Sequence, residues 1–113
     1  MSRRNAGSAD PADAAPLFAA LGDATRLALL DRLGVGGPQS ITRLTAGSAV
    51  TRQAITKHLE ILAGAGLVHD ARRGRERIWA LDTERLDEAR RSLDQIAQHW
   101  DAALERLKSF VEE

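Results

Sequence analysis

Cysteine is absent from the 113-residue chain, and with it every disulfide, thiolate metal site and thiol redox switch. Long hydrophobic runs are missing too. No stretch approaches the roughly 20 apolar residues of a membrane span, and the opening MSRRNAGSADPADAA lacks the apolar middle of a secretory leader. A cytoplasmic protein is the expectation. Nor is there an excess of either charge, since 16 Lys and Arg face 16 Asp and Glu. Evenly spread, that balance would argue against nucleic acid. It is not evenly spread: residues 1–47 hold five basic and four acidic side chains, residues 48–81 six and three, and residues 82–113 five and nine. A basic middle and an acidic end permit one face that meets DNA and another that avoids it.

What is present is enough for one modest domain and too little for two. Residues 1 to about 14 are rich in Ala, Ser, Gly, Asp and Arg without an apolar period, and read as a disordered tail preceding a domain over 15–113. Arg3 and Arg4 in that tail are within the reach of phosphate in principle, although a floppy terminus is the plainer account. Pro16 suits a first helical turn, and Leu17, Phe18, Ala20 and Leu21 form a short helix that Gly22 ends. Asp23 caps a second helix, with Ala24, Leu27, Leu30 and Leu33 as its apolar stripe and Arg26 and Arg32 outside it. Gly34 and Gly36-Gly37-Pro38 close it. Ser40 caps a third, short helix in which Ile41 and Leu44 face inward.

The stretch from Thr51 to Gly66, TRQAITKHLEILAGAG, reads as a helix with two unlike faces. Ile55, Leu59 and Leu62 define one side, widened by Ala54, Ile61, Ala63 and Ala65, and Gln53, Thr56, Lys57 and Glu60 the other. Thr51 suits the N-cap, and Gly66 the left-handed residue past the end. Thr51, Arg52, Gln53, Thr56 and Lys57 are side chains that bond to phosphates and base edges. Taken alone, this helix fits a solvated face short of acids as well as a DNA-reading one. Its neighbours decide: two tightly joined helices with the second polar outward is the helix-turn-helix order.

After Gly66 the period changes to two, and LVHDARRGRERIWAL reads as a β-hairpin. Its tip carries Arg72, Arg73, Arg75 and Arg77. An ordinary solvated turn draws on Asn, Asp, Ser or Gly, and four like charges so close repel unless an anion relieves them, which favours phosphate contact. Residues 83–113 then place Leu86, Ala89, Leu93, Ile96, Trp100, Ala103 or Leu104, Leu107, and Phe110 or Val111 at alternating steps of three and four. A helix of some 30 residues is roughly 45 Å long, more than this body can cover. Its first half can fold back on the domain. Trp100, Leu104, Leu107, Phe110 and Val111 are too much apolar surface to leave to one protomer, so part of the seam is expected to pack on a second copy.

These residues, in this order, carry a family resemblance. FAALGDATRLALLDRL, SITRL, VTRQAITKHLEILAGAGLV, the arginine-rich hairpin and IWALD resemble the ArsR-like winged helix-turn-helix repressors from about Pro16 to the end. The most specific pieces are GDATRLALL, through Asp23, Thr25 and Arg26, and AITKHLEILAGAGLV, through Thr56, Lys57, His58 and Leu59. The resemblance implies a mainly α fold with a small β-hairpin wing, dimerising through its terminal helices: Leu17, Phe18 and Leu21 of the first, and Leu93, Ile96, Trp100, Leu104, Leu107, Phe110 and Val111 of the last. It also implies a homodimeric transcription regulator, usually a repressor, with paired recognition helices in successive major grooves of an inverted-repeat operator and wings on flanking phosphates. A small-molecule effector at the dimer interface would be the family's way of releasing DNA, and the sequence does not name one.

Departures from the family pattern matter as much. Metal-sensing members place cysteine in the third helix, where this chain reads SITRLTAG, and the last helix offers Asp94, His99, Asp101 and Glu105 with only one imidazole, so no metal or cofactor is expected. His58 and His69 read as structural or incidental polar contacts. Two rival functions remain in view. A winged helix can serve as a protein-interaction or dimerisation module without meeting DNA, although four wing arginines speak against it. Some methyltransferases open with a similar dimerising domain, but this chain has no Gly-rich cofactor loop after a strand, no catalytic triad and no carboxylate pair in a cleft, so no enzymatic activity is expected.

Overall fold

A computed structural model describes residues 11–112. The elements run α1 (Pro11–Leu21), α2 (Ala24–Gly36), β1 (Gln39–Ser40), α3 (Ile41–Thr45), α4 (Arg52–Gly64), β2 (Val68–Arg73), β3 (Glu76–Leu81) and α5 (Thr83–Glu112). Helices dominate, and one small antiparallel sheet has the order β1-β3-β2. This is a winged helix-turn-helix, mainly α, as the family resemblance implies.

The expected tail covers residues 1–10, which lie outside the described residues together with Arg3 and Arg4, and residues 11–14, which open α1. Pro16 therefore sits inside the helix rather than in its first turn. Alanines make the longer helix possible, because Ala is the best helix former and Ala14 extends the buried stripe of Leu17 and Ala20 one turn upstream. A proline beyond the first turn gives up one backbone hydrogen bond, and burial of those three residues offsets it.

Helix α2 is capped as read, with the Asp23 carboxylate accepting from the Arg26 backbone N–H at 3.0 Å. Its buried stripe is shifted from the expected one. Leu29, Leu30 and Leu33 are buried, whereas Leu27 is 51% exposed and Ala24 lies outside the core. The Asp23 cap and Arg26 set the rotation: the Arg26 Nε–H donates to the Ala20 carbonyl at 2.6 Å, and its NH1 donates to His58 Nδ1 at 3.2 Å, which turns Leu29 inward and Leu27 out. Arg32 fastens α3 from the other end, donating to the carbonyls of Leu44 at 2.7 Å and Arg43 at 2.9 Å. Those carbonyls lie at the end of a short helix, where the Arg43 carbonyl also accepts the Ala46 amide at 3.3 Å.

The core gathers Leu17, Leu29, Leu30, Leu33, Leu44, Ile55, Leu59, Leu62, Leu67, Val68, Trp79 and Ala89. Trp79 is the largest of the fully buried side chains and comes from β3, the strand that packs against both α2 and α3. Strand β1 has no counterpart in the sequence pattern. It is only two residues long, too short for any alternation to show, and pairs Gln39 with Trp79 and Ser40 with Ile78.

Two left-handed glycines shape the chain beyond α4. Gly66 has φ +80°, and its amide donates to the Ala63 carbonyl, which ends the helix and turns the chain into β2. Gly74 has φ +63° in the two-residue turn Gly74-Arg75, and no non-glycine residue among those described has positive φ. Positive φ at the first central residue alone is the type II′ pattern that suits the twist of a hairpin. Replacement of Gly66 by Ala should cost about 1–2 kcal/mol for the left-handed backbone, and more because the new Cβ would stand 2.9 Å from Arg85 Nε. Urea denaturation measures it, and wild-type stability in that variant would contradict the account.

Candidate nucleic-acid interface

Helix α4 starts at a cap that also sets where its side chains point. The Thr51 hydroxyl accepts from the Ala54 amide at 3.1 Å, so the first turn is fixed at the N-terminal end. Ile55, Leu59 and Leu62 are all but completely buried. With that face committed, Arg52, Gln53 and Lys57 are exposed and Thr56 is half-buried, its hydroxyl donating to the Arg52 carbonyl at 3.0 Å. Ile61, expected to widen the apolar face, is 43% exposed because it lies round the helix from Leu59 and Leu62. Glu60 is exposed on the polar side in the third turn, so the face free of acids spans two turns.

His58 tethers this helix from behind. The guanidinium of Arg26 can only donate, so His58 Nδ1 is the acceptor of this bond. Asp23 stands 3.8 Å from the same Nδ1. One α2 turn thus holds the end of α1 and the middle of α4 together.

Between α4 and the wing lies a groove of about 260 Å³, lined by Ser40, Ile41, Thr42, Arg52, Thr56, Arg75, Glu76, Arg77 and Trp79. Of the residues singled out from the sequence, Arg52, Thr56, Arg75 and Arg77 meet here. Thr51 sits at the cap above it. Gln53 and Lys57 project from α4 outside the groove, while Arg72 and Arg73 lie exposed on β2. Ser40, Thr42 and Trp79 line the groove without having been expected there from the sequence. Thr42 was legible in retrospect, as a polar residue in the first turn after the Ser40 cap.

Arg77 differs from the other wing arginines. Its Nε–H donates to the Asp70 carboxylate at 2.6 Å, and its guanidinium carbon lies 4.5 Å from the centre of the Trp79 ring. Arg72, Arg73 and Arg75 have no such partner among the described residues. The bond from Arg77 holds the Asp70 carboxyl below its usual range, and at Asp23 the Arg26 backbone N–H does the same.

The expected dimer surface divides in two. Leu17 is 0% exposed inside its own protomer, so it has no surface left for a partner and belongs to the core, where the stripe of α1 meets α2 and α5. Phe18 and Leu21 are half-buried against that core. On α5, Ala89 and Ser92 are buried and Ile96 half-buried, but Leu93, Trp100, Leu104, Leu107, Phe110 and Val111 are exposed, Trp100 by 61% and Phe110 by 75%. No helix among the described residues is long and apolar enough to cross a membrane.

Comparison with known proteins agrees with this architecture. A family profile described as a helix-turn-helix domain matches residues 21–71. The HTH-type transcriptional regulator Rv2034 of Mycobacterium tuberculosis is 38% identical over 93 residues, 82% of this chain and 83% of that protein. An ArsR-like transcriptional regulator from Rhodococcus sp. RHA1 superposes with a TM-score of 0.73 at 37% identity, covering 91% of this chain and 96% of the other. The chain belongs to the ArsR-like helix-turn-helix regulators. It is a DNA-binding transcriptional regulator and not an enzyme. The uncharacterized HTH-type transcriptional regulator YuzN of Bacillus subtilis is 40% identical over 76 residues, 62% of this chain and 83% of that protein. In this ArsR-like regulator the segment that the helix-turn-helix profile matches contains the α2 cap, the α3–α4 unit and β2 as far as Ala71.

The two depressed aspartates give this regulator a stated acid response. A carboxylate whose native pKa lies below its unfolded value, about 3.9, contributes stability that is complete above that value and lost as pH falls through the native pKa. Asp23→Asn keeps a capping side chain and removes the charge. Its melting temperature should lie below wild type at neutral pH and converge with it on acidification below about pH 4. Parallel curves over the whole range would refute the role of the charge.

Proposed function

We propose that the protein is a homodimeric repressor that binds an inverted-repeat operator through α4 and the wing. The observation that carries this reading is the groove between α4 and β3, in which Arg52, Thr56, Arg75 and Arg77 converge beside the exposed Gln53 and Lys57. Gln53 and Lys57 have the donors and acceptors to read base edges in the major groove, Gln suiting adenine and Lys suiting guanine. Thr56 adds a hydroxyl toward the base edges, Thr51 and Arg52 would hold α4 against the backbone, and Arg72, Arg73, Arg75 and Arg77 would give the wing its hold on flanking phosphate. A basic face here and an acidic α5 orient the protein on its polyanion.

The dimer reading rests on α5. Its last turns expose Trp100, Leu104, Leu107, Phe110 and Val111 on a helix that leaves its own domain behind, an apolar surface that a second copy would cover. One of the similar solved structures, a winged helix-turn-helix domain from Mycobacterium bovis at 23% identity, is described as homodimeric. Two-fold symmetry of the protein requires half-sites related by inversion, about 10–11 base pairs apart centre to centre. An effector that favoured a different spacing of the two α4 helices would release DNA.

Binding to duplex from upstream of the protein's own gene, measured against random duplex at two salt concentrations, tests the reading. Preference for the upstream duplex with an inverted-repeat footprint is expected, and a direct-repeat footprint or no binding at low salt would sink it, the latter in favour of an interaction module. Lys57→Ala or Gln53→Ala should cost about 1–3 kcal/mol and relax preference at particular base pairs, while Arg75→Ala should weaken all sequences alike and flatten the salt slope by about one. An unchanged slope in Arg75→Ala would remove the wing from the interface. Trp100→Glu should move the sedimenting species toward monomer without unfolding the protomer, since the side chain is exposed there; an undiminished dimer would overturn the role of α5.

A further inference from the structure

Asp70 has no part in the reading above, although it is an acidic residue in the middle of the basic wing. The hairpin register places it opposite Trp79, with Arg77 diagonal to it on the same face of the sheet. Its carboxylate takes the Nε–H of Arg77 at 2.6 Å while the Trp79 ring lies under the guanidinium at 4.5 Å. Both groups remain more than a third exposed, so neither is held by burial. Nε is the only nitrogen of Arg77 that is hydrogen-bonded through its side chain among the described residues. Its two terminal nitrogens stay available on a side chain that lines the groove.

We propose that Asp70 is a specificity-determining residue that fixes Arg77 for one phosphate of the operator backbone and at the same time lowers attraction to DNA in general. The inference rests on the reading of the groove as a phosphate cradle. A guanidinium tied at Nε and supported on an indole face has lost most of its rotamer freedom before DNA arrives, so the ordering cost is already met when a phosphate stands in the right place. A backbone in the wrong register meets an arginine that cannot follow it, together with the nearby negative charge of Asp70. Free arginines such as Arg75 give the opposite behaviour, because they reach phosphate in any register. The wing thus combines adaptable cations with one fixed cation, and only the fixed one distinguishes a seated complex from a sliding one.

A paired comparison tests this. Asp70→Asn and Glu76→Gln each remove one negative charge from the same hairpin, but only the first touches Arg77, since the Glu76 side chain has no hydrogen bond or ion pair among the described residues. Glu76→Gln should tighten binding to operator and to random duplex by a common factor, roughly three- to eightfold for one unit of charge near 0.1 M salt. Asp70→Asn should tighten random duplex by a similar factor and leave operator binding unimproved, so that the operator-to-random ratio falls by about threefold or more. In an Arg77→Lys background, which lacks the Nε donor and the planar group, Asp70→Asn should behave as Glu76→Gln does. Thermal melting of each variant confirms that the wing is intact. If Asp70→Asn shifts both duplexes alike in the wild-type background, Asp70 acts as plain charge and the proposal falls, with the DNA-binding reading untouched. A wild type that binds neither duplex overturns the underlying reading instead.

Discussion

Burial of Ile55, Leu59 and Leu62 fixes the rotation of α4 about its own axis, and everything the polar face can reach depends on that rotation. A helix has only one angular freedom once its axis is placed, and three buried side chains at a spacing of four and three remove it. The remaining placement comes from α2. Arg26 joins the last turn of α1 to His58 in the middle of α4, and Arg32 holds the carbonyl end of α3. Both arginines use charged donors, the stronger kind of hydrogen bond, and all but the Arg32 bond to the Arg43 carbonyl are partly buried. The α3–α4 unit is therefore pinned from one side, and its other side is free.

Charge is arranged around that division. Arginines from α4 and from the wing line one groove, while the acids concentrate on α5. A chain of zero net charge can meet a polyanion because potential depends on where charges stand and not on their sum. The wing itself is mixed, with Asp70 and Glu76 among four arginines. Asp70 is committed to Arg77 by the register of the hairpin, and the register is set by a two-residue turn in which Gly74 alone takes positive φ. A slip of one residue would carry Arg77 and Trp79 together to the face opposite Asp70.

Much of the fold was legible because its signals are local. Asp23, Ser40 and Thr51 each cap a helix, and each does so through a side-chain oxygen to the amide three residues on, a geometry written into residue type and position. The apolar spacing in α4 and α5 and the arginine-rich hairpin were of the same kind. Signals failed where the stripe was made of alanine, as at the start of α1, where the element was too short to show a period, as in β1, and where a polar contact rotated a helix away from its most obvious leucines, as at Leu27.

The sequence by itself determined the order of elements, their caps, the two unlike faces of α4, the basic wing and the long apolar seam of α5, since each depends on residues within a few positions of one another. Only the tertiary structure decided that Leu17 is buried in the core of its own protomer, that Thr42 and Trp79 share a groove with Arg52 and Arg75, and that Arg77 has a side-chain hydrogen bond to Asp70 that Arg72, Arg73 and Arg75 lack among the described residues. Those outcomes depend on which distant segments meet. Asp70 and Arg77 are joined by strand register, and Arg52 and Arg75 by packing of α4 against the sheet, and neither distance can be read from spacing along the chain.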